Sequence, residues 1–526
     1  MDRLDRMAAI LVCGFLMTAP LSVARADADF PDRNGPAAPA APGTEYLAVP
    51  PAAFVPADDL YDYENYGNYL AHMDASYADG VYYAPVNLPH GAVVKKVDFC
   101  FFQDYSNSLS STNLVRSDLS HQRVEMAVSP PTGVGSNYFI TTDSSITDPL
   151  INNLASVYWL ELHLPPSTHS AGTRAWGCGV TIHYTPPAVN TGILSVPASG
   201  FKPEAIGYSW NKASSHLEHV NGDCYGGPVG TGCYVAGLNF PDGAVLTRLT
   251  LRYIDTHPSA SLSLSLHRAN QDYTVHDVLA TVQSLNSGAA QGQNFAIPSG
   301  GTVVDNLTYS YWLELRHPNE SISGDLFAYG AIAQYTLPAF RAASDRTPAA
   351  ADGPKATEAL IEKTTRILSL STAEFTPLTN RYYFLNNGQW VVHRFSNAAG
   401  GTANGFYFAP VYLPQGARVT YILPEFFNRS SFPAAGYASL VRKFGNTFHY
   451  LAHGESTYTA GYSYEIIKAD DPATHTIDNT QYAYFFIYEL PVSTLPVPPG
   501  PGDLVGASVK ILYTPPTYTF LPLIRK

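Results

Sequence analysis

Apolar and polar residues alternate with period two along much of the chain, the pattern of strands with one buried face. Val245, Leu249, Leu251 and Tyr253 share one face of a segment whose other face carries Arg248, Thr250 and Arg252. Val97, Phe99 and Phe101 alternate in the same way against Lys96 and Asp98. Leu262, Leu264 and Leu266 alternate with Ser263 and Ser265, and the corresponding earlier stretch uses Val124, Met126 and Val128. Ile422 and Phe426 fit a further strand, but Pro424 interrupts it, which predicts an edge or a bulge. In Tyr158 to Leu164, Tyr158, Leu160 and Leu162 fall on one face and Trp159, Glu161 and His163 on the other. Trp312, Glu314 and Arg316 repeat the second set. Asn387-Gly388, inside Leu385 to Trp390, predicts a tight hairpin because both residues suit positive φ. Helical periodicity is confined to Lys355 to Leu368, where Leu360, Ile361, Ile367 and Leu368 lie on one side and Glu358 and Glu362 on the other. That stretch predicts one short amphipathic helix docking between modules.

The strand pattern is written three times. Leu88-Pro89-His90-Gly91-Ala92 returns as Phe240-Pro241-Asp242-Gly243-Ala244 and as Leu413-Pro414-Gln415-Gly416-Ala417. Asn153, Asn306 and Asn479 each stand five residues before a strand tyrosine, at Tyr158, Tyr311 and Tyr484. The turn glycine and this tyrosine are 67, 68 and 68 residues apart (91 to 158, 243 to 311, 416 to 484). A Phe-x-Pro segment opens each copy at Phe54, Phe201 and Phe375, and its proline predicts an edge strand or an entry into the domain. Fixed spacing of this kind marks a repeated structural unit.

These signals predict an all-β chain of three tandem β-sandwich modules, jelly-roll or immunoglobulin-like, with one short linker helix. The expected order is a signal peptide over 1–26, a disordered leader over 27–45, module one over 46–187 and module two over 192–338. A linker with the helix follows over 339–370, then module three over 371–516 and a tail over 517–526.

Composition places this architecture outside the cytoplasm. Arg3 and Arg6 precede an apolar run from Met7 to Leu21, and Ala24-Arg25-Ala26 supplies a small-x-small cleavage site. The whole chain carries −13, and removing 1–26, with three Arg and two Asp, leaves −14. Such a charge argues against nucleic acid as a partner. Beyond the signal, no stretch has the roughly 18 apolar residues of a membrane span. Four cysteines remain, an even number that favours disulfides in an exported chain. Cys224 and Cys233 flank a glycine-rich loop that a bridge would close. Cys100 and Cys178 lie on an early and a late strand of the first repeat, but Cys100 alternates with the core residues Phe99 and Phe101 whereas Cys178 shares the parity of Val180 and Ile182, so that pairing them needs a bulge. The predicted location is extracellular, cell-surface or periplasmic.

Chemistry is harder to find. The chain has no GxSxG elbow, HExxH pair, phosphate loop or dinucleotide fingerprint. His216, Glu218, His219 and Asp223 are the best metal-ligand candidates, but in an extended segment His219 turns away from His216 and Glu218. No metal or cofactor is predicted. Trp159, Glu161 and His163, with Trp312, Glu314 and Arg316, form a candidate sugar-gripping face, the ring stacking on C–H bonds and the acid accepting hydroxyl hydrogens. The competing reading packs each Trp under a neighbour and pairs each Glu across strands. Tyr61, Tyr63 and Tyr66 form a second aromatic candidate, since Tyr gives a large contact area at low entropy cost. The three copies share a framework and no evident polar constellation, which argues against catalysis by the repeat itself. The leading expectation is a non-catalytic exported protein with a structural, adhesive or glycan-contacting role. A fibre or sheath subunit that self-associates and a β-sandwich enzyme acting on polysaccharide are the alternatives.

Overall fold

The computed structural model describes residues between 44 and 515, omitting loops of which the longest are 222–230, 338–365 and 492–503. The export signal, most of the leader, the tail and Tyr66 lie outside the described residues. Thirty-four strands are described, all paired antiparallel, and no α-helix occurs among the described residues. They form six larger sheets and one two-stranded ribbon.

Each repeat supplies two of the larger sheets. In the first, Glu45–Val49, Tyr63–Asn65, Leu70–His72, Val93–Gln103, Asn137–Asp143 and Ala175–Thr185 make one. Val55–Pro56, Gly80–Pro85, Ser111–Asp118, Arg123–Val128 and Ser156–Leu164 make the other. The alternation read from sequence places the core correctly here. Val97, Phe99 and Phe101 meet Tyr158, Leu160 and Leu162 in one buried cluster. Leu249, Leu251 and Tyr253 meet Leu264, Leu266 and Tyr311 in the second repeat. Each Phe-x-Pro segment is a two-residue edge strand, at Val55–Pro56, Lys202–Pro203 and Thr376–Pro377, as its proline requires. Tyr382–Asn386 pairs antiparallel with Val391–Ser396, and the Asn387-Gly388 turn expected between them lies outside the described residues.

The expectation of three tandem β-sandwich modules is corrected: the six sheets are arranged as a β-propeller ring. Modules strung in tandem would touch only their neighbours in sequence. Here the third repeat also closes on the first, through an antiparallel bridge between Glu64 and Thr379 and a bond from Asn65 N to Leu378 O at 2.7 Å. The linker helix is corrected as well. Arg366–Leu370 is a strand paired with Leu504–Thr514, and 355–365 lie outside the described residues. Leu368 faces the third core and Ile367 faces Leu307, Leu423 and Leu512 at the junction with the second repeat. A strand covered on both faces carries adjacent apolar residues, which mimic a helical stripe in a short window.

The repeat signatures build the junctions. Each LPxGA-like turn closes on a bond from the alanine N–H to the proline carbonyl, with Gly91, Gly243 and Gly416 at φ 84°, 78° and 77°. Glycine at the third position of such a turn supplies this positive φ without strain. The signature asparagine bonds twice. Asn153 Nδ2 donates to Leu88 O in its own turn and to Ile193 O at the start of repeat two, at 2.9 and 3.0 Å. Asn306 joins Phe240 O to Ile367 O of repeat three, at 2.8 and 3.1 Å. Asn479 joins Leu413 O to Tyr46 O of repeat one, at 2.8 and 3.4 Å. The same asparagine therefore makes all three seams, and the last of them closes the ring.

Cys100 and Cys178 form a disulfide, with their Cα atoms 5.1 Å apart. The strand register shifts between Gly177 and Gly179, so Cys178 is the bulged residue that the phase conflict demanded. Cys233 is also disulfide-bonded, while Cys224 lies outside the described residues.

Candidate functional site

The side chains opposite each core form an outward face on the second sheet of each repeat. In repeat one this face carries Trp159, Glu161 and His163, as the alternation predicts, but the ring of Trp159 is only 2% exposed. It packs with Tyr83, Val115 and Val157. Trp312 is 1% exposed and packs with Val235, Ala269 and Ala373, the last from repeat three. Neither indole face is open to a sugar. Trp159 packs within its own repeat, Trp312 packs at the seam with repeat three, and Phe485 of repeat three packs against Ala52 of repeat one.

The carboxylates beside them are occupied. Glu161 accepts from Arg123 at 3.0 Å and faces His163 Nε2 at 2.9 Å. Glu314 accepts from Arg316 at 2.5 Å and lies 3.6 Å from His267 Nε2. His267 stacks on Trp312 at 5.2 Å and meets His276 at 3.0 Å. Burial pushes the His267 imidazole down to about 4, helped by His276 and Arg316 and opposed by Glu314. Tyr63 is buried and Tyr61 half-buried, and both pack edge-on or tilted against Tyr82. His216 faces Glu218 at 3.3 Å while His219 turns to Tyr234, so the extended segment separates the two histidines.

Repeat three differs. Its outward face holds Tyr437 and Ser439 on Tyr437–Phe444, with Tyr450, His453 and Glu455 on Thr447–Glu455. Tyr450 is 57% exposed. Tyr437 stacks nearly parallel to His453, at 5.8 Å and 8°, and Tyr450 meets His453 edge-on at 6.0 Å. Ser439 Oγ lies 2.7 Å from His453 Nδ1. In the strand register Tyr437 stands between Glu455 and Glu489, and Asn404 Nδ2 donates to Glu489 at 2.8 Å. Burial and these two carboxylates raise the Tyr437 hydroxyl, which stays protonated as a donor. This is the open aromatic and carboxylate cluster that the first two faces lack.

Strand parity hides the cluster. Leu440 pairs with Ala452 but Val441 pairs with Tyr450, so Leu451 is an extra residue. Leu451 and Ala452 both enter the core, and Tyr450 swings outward. The same bulge falls at Met126 and at Leu279. It corrects the expected Val124, Met126, Val128 alternation: Met126 and Ala127 are both buried and Val128 is exposed.

A shared polar constellation does exist, contrary to expectation, and it is internal. His72 Nδ1 meets Tyr82 OH at 2.9 Å, His219 meets Tyr234 at 2.8 Å, and His393 meets Tyr407 at 2.9 Å. All six residues are buried. Its sequence trace is the Gly-x-Tyr of Gly80, Gly232 and Gly405, where a Cβ would strike the imidazole at 2.4, 2.4 and 2.3 Å. A separate aromatic row, Tyr69, Trp176, Phe102 and Tyr138, crosses the other sheet of repeat one. Tyr69 and Phe102 each stack on Trp176 at 4.5 Å, so the Trp176 ring is covered by its neighbours.

No protein-family model matches the chain, and no curated protein sequence is similar to it. Among solved structures, the N-terminal CBM22-1–CBM22-2 tandem domain of Paenibacillus barcinonensis Xyn10C aligns at 9% identity with a TM-score of 0.21, over 51% of this chain and 87% of that one. An Arthrobacter globiformis T6 isomalto-dextranase complexed with panose aligns at 12% identity and 0.17, over 51% and 36%. An allantoicase aligns at 10% identity and 0.19, over 60% and 91%. Scores of this size assign the chain to no family.

Proposed function

We propose that this is an exported, non-catalytic protein that contacts glycans through the outward face of its third repeat. The observation that carries the reading is the open cluster of Tyr437, Tyr450 and His453 flanked by Glu455, Glu489 and Asn404. An exposed ring offers a stacking surface to the C–H face of a sugar. Carboxylates and a carboxamide beside it match the hydroxyls at its edge. The Cys100–Cys178 disulfide suits an oxidising compartment, and among the described residues no helix is long and apolar enough to cross a membrane. The test is retention on a panel of immobilised plant and bacterial polysaccharides, comparing the native chain with a Tyr450→Ala, Glu455→Gln variant. Binding by the native chain and loss of at least tenfold in the variant is the expected result. Equal binding by both moves the contact elsewhere, and no binding by the native chain ends the glycan reading.

A further inference from the structure

On the outward faces the strand register aligns the three repeats residue by residue. Ser111 stands opposite His163 in repeat one. Ser263 stands between Arg316 and Gln283 in repeat two, and Tyr437 between Glu489 and Glu455 in repeat three. The third copy therefore has an aromatic ring where the others have a serine. It also has a carboxylate on each side of that ring, where the second copy has a cation and a neutral amide. Directly opposed residues on neighbouring strands lie about 5 Å apart, which lets both glutamates reach the space over the ring. Burial and both carboxylates raise the Tyr437 hydroxyl, so both charges act at its position.

The cations on these strands are directed elsewhere. Thr447–Glu455 and Ala483–Leu490 carry no lysine or arginine. On Tyr437–Phe444, Arg442 lies over the Tyr482 ring at 4.7 Å, and Lys443, at the far end of the strand, is buried and donates to Cys178 O of repeat one at 3.2 Å. In the first two repeats the carboxylates of this face meet arginines, Glu161 with Arg123 and Glu314 with Arg316. An open tyrosine beside two negative charges complements a ligand that carries both a sugar ring and a positive charge.

We propose that the ligand of this face is an amino-sugar polymer with free amines, a chain of glucosamine, with an ammonium group between Glu455 and Glu489 and an adjoining sugar ring on Tyr450. The proposal rests on the glycan reading of the same face and adds the sign of the ligand's charge to it. An ammonium placed there makes charge-assisted bonds to two carboxylates. A neutral hydroxyl makes only ordinary hydrogen bonds, an acetylated amine has lost its charge, and a uronic acid meets like charges.

The test is isothermal titration calorimetry of the full chain at neutral pH with matched hexamers of glucosamine, N-acetylglucosamine and glucose. The glucosamine hexamer is expected to bind about tenfold more tightly than the other two, and this advantage is expected to shrink as salt is raised. Glu489→Gln is expected to remove the advantage and leave binding of the glucose hexamer unchanged. Glu125→Gln, at an exposed carboxylate on the face of repeat one, is expected to keep it. Equal binding of all three hexamers, or a preference for a neutral one, overturns the amine and leaves the glycan reading standing. An equal loss in E125Q and E489Q traces the preference to the net charge of the chain and overturns the proposal as well. No binding of any hexamer defeats both readings.

Discussion

The seams between repeats and the outward faces of the same repeats have diverged in opposite ways. At the seams one asparagine, one turn and one tyrosine recur three times, and the asparagine makes the same bond to the next repeat each time. On the faces, equivalent strand positions hold Glu161, Glu314 and Ile487, or His163, Arg316 and Glu489. A seam asparagine answers two carbonyls that would otherwise be buried without donors, and no other side chain of its size does so. A face residue answers water or its own neighbours, and many side chains can do that. The seams therefore hold the ring, and the faces are where function is free to differ between copies.

The largest effect that would test this contrast lies at the seam between repeats two and three. Lys510 and Glu425 form a fully buried pair at 3.3 Å, and Lys510 also donates to Leu307 O across the seam. Replacing Lys510 with Met leaves Glu425 buried without its cation. The expected loss is about 3–5 kcal/mol in denaturant unfolding, and a loss below about 1 kcal/mol would show that the seam does not depend on the pair.

The next effect depends on pH and belongs to the face of repeat two. His267 has a folded pKa of about 4 against an ordinary value of 6.5. A depressed histidine contributes stability that is fully present above 6.5 and lost as pH falls from there toward 4. The whole step is about 3 kcal/mol. Unfolding free energies measured between pH 7 and 4 are expected to fall, and to fall less in a His267→Gln variant. Parallel curves for the two proteins would place the sensitivity elsewhere.

The seam asparagines give a graded series. Asn153→Ala and Asn306→Ala each remove two bonds and strand two carbonyls, at an expected cost of about 2 kcal/mol. Asn479→Ala is expected to cost less, because its bond to Tyr46 O is 3.4 Å long. A reversed order in thermal midpoints would mean that the closing seam carries more of the ring than its geometry indicates.

The sequence exposed the seams without explaining them. Spacing picked out Asn153, Asn306 and Asn479, but their inter-repeat acceptors lie 40, 61 and 433 residues away, beyond any local pattern. Alternation sorted Trp159 from Leu160 correctly, yet could not tell that the Trp159 face is itself covered. Tyr83, Val115 and Val157 of the same repeat cover that ring, and alternation along a single strand does not reveal which neighbours lie over it. The buried His–Tyr pairs escaped because their separations of 10, 15 and 14 residues follow no common period. Only the constant Gly-x-Tyr betrays them. Tyr450 escaped because a bulge at Leu451 reverses its phase, and nothing local in the sequence announces an extra residue in a pair of strands.

The smallest expected effect is the most discriminating one. Tyr450 touches His453 and otherwise faces solvent, so a Tyr450→Ala, Glu455→Gln variant is expected to keep its unfolding free energy within about 0.5 kcal/mol of the native value. A seam residue cannot be removed so cheaply, because its loss strands a buried partner, whereas removal of Tyr450 hands its neighbours to water. If the variant unfolds as easily as the asparagine variants do, repeat three's face is a structural surface like those of Trp159 and Trp312. Unchanged stability together with lost polysaccharide retention would assign the exposed cluster to binding, and would separate the part of each repeat that maintains the ring from the part that meets a ligand.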